Sequence, residues 1–139
     1  MIRFIHLADV HLGAVPDRGC PWSHEREEEI WETFRRVIAS VRRDPVDLLF
    51  IAGDLFHRQP LLKELKEVNY LFSTIPETRV FLMAGNHDYM KRNSFYRGFA
   101  WEPNVTFFDS EKMGCAYIEE LQTFVYGMSS VSYTHLRAH

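Results

Sequence analysis

Two cysteines are all that the 139 residues contain, and Cys20 and Cys115 stand in no metal-binding or redox spacing. That scarcity excludes a disulfide-stapled scaffold and a thiolate metal cage, and leaves two small thiols expected to be buried or half-buried. Long apolar runs are missing too. No stretch approaches the roughly 20 residues that cross a bilayer, and the opening run is too short and too polar for the apolar region of a signal peptide. Both absences give the expectation of a cytoplasmic protein with no membrane partner. A surplus of positive charge is likewise absent, with 16 Lys and Arg against 19 Asp and Glu, so no broad basic face for gripping nucleic acid is implied. Bound divalent cations would reverse that balance locally, so a polyanionic ligand stays open. Repeats, low-complexity tracts and linkers are not found, which leaves a single domain, and 46% apolar residues are enough to give it a core of its own.

What the chain does have is an alternation of strand-like and helical patterns. Residues 2–8 read as a buried first strand, and 13–23, with Gly13, Pro16, Asp17, Gly19 and Pro21, as a long loop. A helix follows, with Ser23 as a capping residue, Glu25, Glu27, Glu28 and Glu29 at its positive end, and Ile30, Phe34, Val37, Ile38 and Val41 as its apolar stripe. Asp44-Pro45 closes it. The runs 48–52 and 80–84 are continuously apolar, the pattern of strands covered on both faces in a parallel sheet. Between them, Leu61, Leu65, Val68 and Phe72 have helical spacing after Pro60, and shorter strands are expected at 105–108 and 123–126. The fold class is therefore α/β, layered, with a largely parallel central sheet and flanking helices.

Three polar clusters follow at once on the strand-like runs: Asp9-Val10-His11, Gly53-Asp54-Leu55-Phe56-His57 and Gly85-Asn86-His87-Asp88. Ligands of open α/β sheets bind beyond the carboxyl ends of the strands, so these side chains converge if their strands are neighbours. Alternation would turn Asp9 and His11 to one side and Val10 to the other. Asp54 can use both oxygens to bridge two cations, Asn86 can offer an amide oxygen, and Gly53 and Gly85 permit sharp turns and close approach. His87 would then stand beside the ions as a proton donor, with Asp88 orienting its ring. Each piece alone is ordinary: Asp-x-His is common on surface loops, and Gly-Asp after a strand is a common turn. All three in this order, each at a strand end, point to a two-metal phosphoester-cleaving site.

The same series resembles the first three motifs of the calcineurin-like metallophosphoesterase superfamily, over residues 1–128. The opening Phe4-Ile5-His6-Leu7-Ala8-Asp9-Val10-His11-Leu12-Gly13 and Ala52-Gly53-Asp54-Leu55-Phe56-His57 resemble its DNA-repair nuclease branch, the SbcD-like subunits. The resemblance implies that the chain is the N-terminal part of a metallophosphoesterase fold. Asp9 and His11 would be ligands of the first metal, Asp54 the bridging carboxylate and Asn86 a ligand of the second. His87 would stabilise the transition state or protonate the leaving group, and His57 would be a second catalytic histidine that marks the branch. It further implies two divalent ions, most often Mn²⁺, in-line hydrolysis of DNA phosphodiesters, and an SMC-like ATPase partner of the SbcC type.

Members of that family carry further histidines downstream, ending in a Gly-His-x-His pair, and this chain has no Gly-His-x-His. After Gly127 there remain His135 and His139, whose i, i+4 spacing also allows them to be read as substitute ligands. The preferred expectation is that 129–139 is a non-native tail resembling translated adaptor sequence, that the domain is truncated near residue 128, and that the fragment is inactive or weakly active. Two alternatives stay open: a phosphoesterase of another kind, acting on phosphoproteins or on nucleotide or lipid pyrophosphates, and a non-catalytic fragment. Arg58, Lys91, Arg92 and Arg97 are read as solvated loop charges before DNA contacts, and Tyr96, Phe99 and Trp101 as core before base-stacking residues.

Overall fold

The computed structural model describes residues 1–131. Its centre is a four-stranded parallel sheet, β1 (Phe4–Leu7), β2 (Leu48–Ala52), β3 (Arg79–Met83) and β4 (Val105–Phe108), in the order β1-β2-β3-β4. Helix α1 (Ser23–Arg43) connects β1 to β2 and α2 (Leu62–Ser73) connects β2 to β3. An antiparallel hairpin of β5 (Gly114–Ile118) and β6 (Thr123–Gly127) follows.

The period-two alternation of the strands sorts the core into two layers. Leu49, Ile51, Val80 and Leu82 point to the helices and pack with Phe34, Ile38 and Val41 of α1 and Leu65, Val68 and Phe72 of α2. Leu48 and Phe81 point the other way and meet Ile118 and Val125 of the hairpin, with Phe50 and Phe108 packed beside them. With both faces covered, β2 and β3 have no reason to alternate polar with apolar, which is why their sequences run continuously apolar.

Four expectations need correction. Ser23 does not cap α1: it is the first residue of the helix, Trp22 holds the capping position, and no side chain bonds that end. The first strand is not buried: among the described residues β1 has one neighbouring strand, its side chains alternate exposed and half-buried, and Phe4 is 60% exposed. Trp31, outside the expected stripe, is buried in its place while Ile30 and Val37 are half-buried, because the packed line on α1 runs 31, 34, 38, 41. Cys20 is half-buried, but Cys115 is exposed on the outward side of β5. No helix among the described residues is long and apolar enough to cross a membrane.

The hydrogen-bonded fold continues past residue 128. Ser129 donates its amide to Ser110 O at 2.8 Å, Ser130 donates to Ala84 O at 2.9 Å, and Met90 donates to Ser130 O at 2.8 Å. Ser129 Oγ bonds the Phe108 carbonyl and accepts from the Ala84 amide. His135 and His139 lie outside the described residues.

Candidate metal centre

Because β1, β2 and β3 are adjacent and parallel, the three polar clusters leave the sheet side by side. The first two loops go on pairing beyond the strands. Asp9 N–H donates to Gly53 O (3.2 Å), His11 N–H to Asp54 O (3.0 Å), Leu12 N–H to Leu55 O (2.8 Å) and His57 N–H to Leu12 O (2.9 Å). Leu12 and Leu55, both 0% exposed, with Phe56 at 1%, anchor these loops in the core.

Alternation of an extended strand is not what presents Asp9 and His11. Both have φ of 56°, and Asp54 has 53°, so three site candidates occupy the left-handed region. Aspartate tolerates that region better than most residues, yet each such residue stores some backbone strain, a condition that collects at functional sites. The turns bring ligand atoms of Asp9, His11 and Asp54 within 4.8 Å of one another.

The third loop is held against the second by Asp54 and Asp88. Asp54 Oδ1 accepts the His87 amide at 2.8 Å. Asp88, 0% exposed, takes four donors: Oδ1 accepts from Gly85 N (2.7 Å) and Asp54 N (3.2 Å), and Oδ2 from the Tyr96 hydroxyl (2.7 Å) and Phe56 N (3.2 Å). Asp88 therefore does not orient the His87 ring, as expected from its neighbouring position. It points the opposite way, into the protein, and ties the backbones of the two loops together. Burial pushes its carboxyl above the usual carboxylate range, against the pull of the Tyr96, Gly85 and Phe56 donors, while burial and the nearby Asp88 raise the Tyr96 hydroxyl well above 10.

His87 finds its orientation elsewhere. Its Nδ1 lies 3.0 Å from the His57 carbonyl oxygen, which can only accept, so Nδ1 carries the proton and Nε2 is left with a lone pair. His57 Nδ1 lies 3.2 Å from His11 Nδ1, and His11 Nε2 lies 3.9 Å from Asp9 Oδ1. Asn86 is exposed between the anchored Gly85 and His87. His57 is held below its ordinary 6.5 chiefly by desolvation, then by the neighbouring His11 and His87, with Asp54 opposing. In a metal-free NMR titration, the His57 ring is expected to protonate with a midpoint below 6.5; a midpoint at or above it would contradict this electrostatic picture.

Among the remaining charges Arg58 and Arg97 have local partners, and the aromatics pack together. Arg58 pairs with the buried Glu64 at 2.9 Å, and Glu64 Oε1 also accepts the Leu61 amide at the start of α2. Arg97 donates Nε to Lys91 O at 2.8 Å, and Arg92 is exposed. Tyr96 stacks on Phe107 at 4.8 Å, and Phe99 meets Trp101 edge-on at 4.7 Å against the helix-side core, so these rings serve packing. The buried Glu64 and the four-donor role of Asp88 were missed by the sequence reading. A Glu three residues after Leu61 at a helix start was the available signal for the first.

The donor set suits divalent cations: carboxylates and one imidazole within reach of one another, in loops clamped by backbone hydrogen bonds. A Cβ on Gly85 would fall 2.5 Å from the Asp54 amide nitrogen and closer still to Oδ1, so the glycine leaves the space that Asp54 occupies.

Comparison with known proteins agrees with this arrangement. The family model for calcineurin-like phosphoesterase matches residues 2–138. The DNA double-strand break repair protein Mre11 of Methanopyrus kandleri is 39% identical over 94 residues, which is 66% of this chain and 20% of that protein. Its namesake in Archaeoglobus fulgidus is 36% identical over 98 residues, again 66% and 20%. The uncharacterized metallophosphoesterase YhaO of Bacillus subtilis is 29% identical over 119 residues, 78% of this chain and 28% of YhaO. The matched part thus spans 20–28% of the length of these relatives. With the family model covering nearly its whole length and the strand-end clusters converging in space, this chain belongs to the calcineurin-like phosphoesterase family.

Proposed function

We propose that the chain contributes Asp9, His11, Asp54, Asn86 and His87 to a two-metal centre that hydrolyses DNA phosphodiesters during repair. The observation that carries the reading is the approach of Asp9, His11 and Asp54 ligand atoms to within 4.8 Å at the ends of adjacent strands. The Mre11 relatives supply the substrate class. Two bound divalent ions, of which Mn²⁺ suits the oxygen-rich set, would lower the pKa of water and neutralise charge on the phosphate oxygens.

The chain's own residues do the rest. Asp54 has one oxygen committed to the His87 amide and keeps lone pairs on both for bridging. Asp9 and His11 would hold the first ion, and Asn86 would offer an uncharged oxygen to the second. His87, with Nδ1 fixed by the His57 carbonyl, holds a proton at Nε2 when charged and gives it to the leaving alkoxide. His57 lies beside it as the second histidine near the scissile phosphate, and Asp88 positions both loops. The reading places the protein in the cytoplasm, beside an SMC-like ATPase of the SbcC type. The 139-residue chain alone is weakly active or inactive.

The test is Mn²⁺-dependent cleavage of labelled linear DNA, against a small phosphodiester, by this chain and by a version extended to the length of its relatives. Changes around a metal's ligands cost about 10–100-fold, so Asp54→Asn, which alters a ligand itself, should cost at least about a hundredfold in the active form. Cleavage that needs no metal, or that survives Asp54→Asn unchanged, would refute the assignment. Preference for the small phosphodiester over DNA would retain the chemistry and reject the substrate.

A further inference from the structure

The histidines of the three loops also meet one another. His11 stands edge-on to His57 and to His87, with ring centroids 5.2 and 4.9 Å away, and His57 and His87 stack at 5.0 Å. One nitrogen from each ring lies within 4.8 Å of one nitrogen from each of the others. Between His11 and His57 the contact is Nδ1 to Nδ1 at 3.2 Å. Two imidazole nitrogens on a single tetrahedral zinc, each 2.0–2.1 Å from it, stand about 3.3 Å apart. The pair is therefore already spaced as adjacent ligands of one ion. His87 has Nε2 left to serve as a third, because its Nδ1 is occupied by the His57 carbonyl. His57 and His87 are exposed and His11 is half-buried, so an ion reaches them without opening the fold.

We infer that His11, His57 and His87 form a second metal site, for one borderline-soft divalent ion such as zinc, and that filling it excludes a hard ion from the Asp9, His11 and Asp54 cluster. Ligand chemistry separates the two sites: imidazoles suit zinc, copper and nickel, whereas a set rich in carboxylates suits magnesium and manganese. Exclusion follows from His11, which both sites share. A neutral imidazole has one lone-pair nitrogen. When Nε2, the atom nearer Asp9, is the ligand, Nδ1 carries the proton and donates towards His57. When Nδ1 is the ligand of the histidine site, Nε2 carries the proton and presents an N–H towards Asp9. The ring serves one ion at a time. The exclusion rests on the proposed carboxylate centre, while the histidine site itself does not.

The experiment loads the metal-free 139-residue chain with Co²⁺, a zinc surrogate whose four-coordinate complexes absorb far more strongly in the visible than its six-coordinate ones. One equivalent should give the strong bands. His57→Ala and His87→Ala should each lose them, with binding weaker by about tenfold or more on removal of one ligand. Asp9→Asn should keep them. Far-UV circular dichroism checks that each variant is folded, and His57→Asn gives a second, milder variant of an exposed position. In a separate arm Mn²⁺ is bound first and followed by its electron paramagnetic resonance. Added Zn²⁺ should release free Mn²⁺ from the native chain and not from His57→Ala. Absence of four-coordinate bands, bands that persist in both alanine variants, or simultaneous binding of Zn²⁺ and Mn²⁺ would each overturn the inference. Histidine-dependent bands in a chain that binds no Mn²⁺ would leave this site standing and remove the carboxylate centre. Asp9-dependent Mn²⁺ binding with no histidine-dependent bands would do the reverse.

Discussion

Replacing Asp88 with alanine is expected to remove about 4 kcal/mol of folding stability, since each buried donor left without an acceptor costs about 1–3 kcal/mol and four donors end on this carboxylate. Water entering the new space would satisfy some of them, which keeps the figure below the sum. Because domains are stable by only about 5–15 kcal/mol, that loss is near the limit of what the fold survives. Asp88→Asn keeps one carbonyl oxygen and should cost about half as much, and Tyr96→Phe, which removes one donor rather than the shared acceptor, about 1 kcal/mol. Urea denaturation of the three variants measures this. Should Asp88→Ala come within 1 kcal/mol of the unaltered chain, the carboxylate would not be the tie between the loops. The Asp88→Ala and Tyr96→Phe changes share a hydrogen bond at 2.7 Å, so their effects should not add.

Gly85→Ala should be the most damaging one-carbon change in the chain's loops. The added methyl would overlap Asp54 Oδ1 and lie 2.5 Å from the Asp54 amide nitrogen, so it meets backbone as well as side chain and cannot be relieved by a side-chain rotation alone. Overpacking of this kind costs about 3 kcal/mol, and the displaced Asp54 should lower Mn²⁺ affinity about tenfold or more. Gly98→Ala is the comparison: its φ of +71° makes alanine strained, but nothing lies within 4 Å of the new carbon. That change should cost about 1–2 kcal/mol and leave Mn²⁺ binding alone. Isothermal titration with Mn²⁺ and thermal melts of both variants separate the two kinds of cost. Equal metal affinity in Gly85→Ala and the unaltered chain would show that Asp54 has room to shift.

Strands β2 and β3 were legible because burial on both faces leaves nothing but apolar residues in Leu48–Ala52 and Arg79–Met83 beyond the first position. β1 looked the same in sequence, yet it lies at the sheet edge, and an apolar run carries no information about how many neighbours it has. β5 went unread because Gly-Cys-Ala-Tyr-Ile alternates small with mixed side chains and gives little strand signal. At the site, the residue types and their strand-end placement were visible, while their convergence depended on the strand order. The direction of Asp88 was not visible at all. His87 is exposed and Asp88 is 0% exposed, and one peptide separates a side chain that faces solvent from one that locks the loops.

The left-handed backbone at Asp9, His11 and Asp54 bears on which sequences this loop set can explore. A β-branched residue at any of the three would be opposed by its own Cβ before any question of chemistry arose, whereas Asn and Gly would be accepted by the backbone. Random mutagenesis scored for folding alone should therefore return a short alphabet at position 54, dominated by Asp, Asn and Gly. Scoring for metal-dependent activity should then discard Asn and Gly and keep Asp. Conformation narrows the choice at these positions before function does, and loss of function by drift at position 54 would tend to leave asparagine or glycine behind.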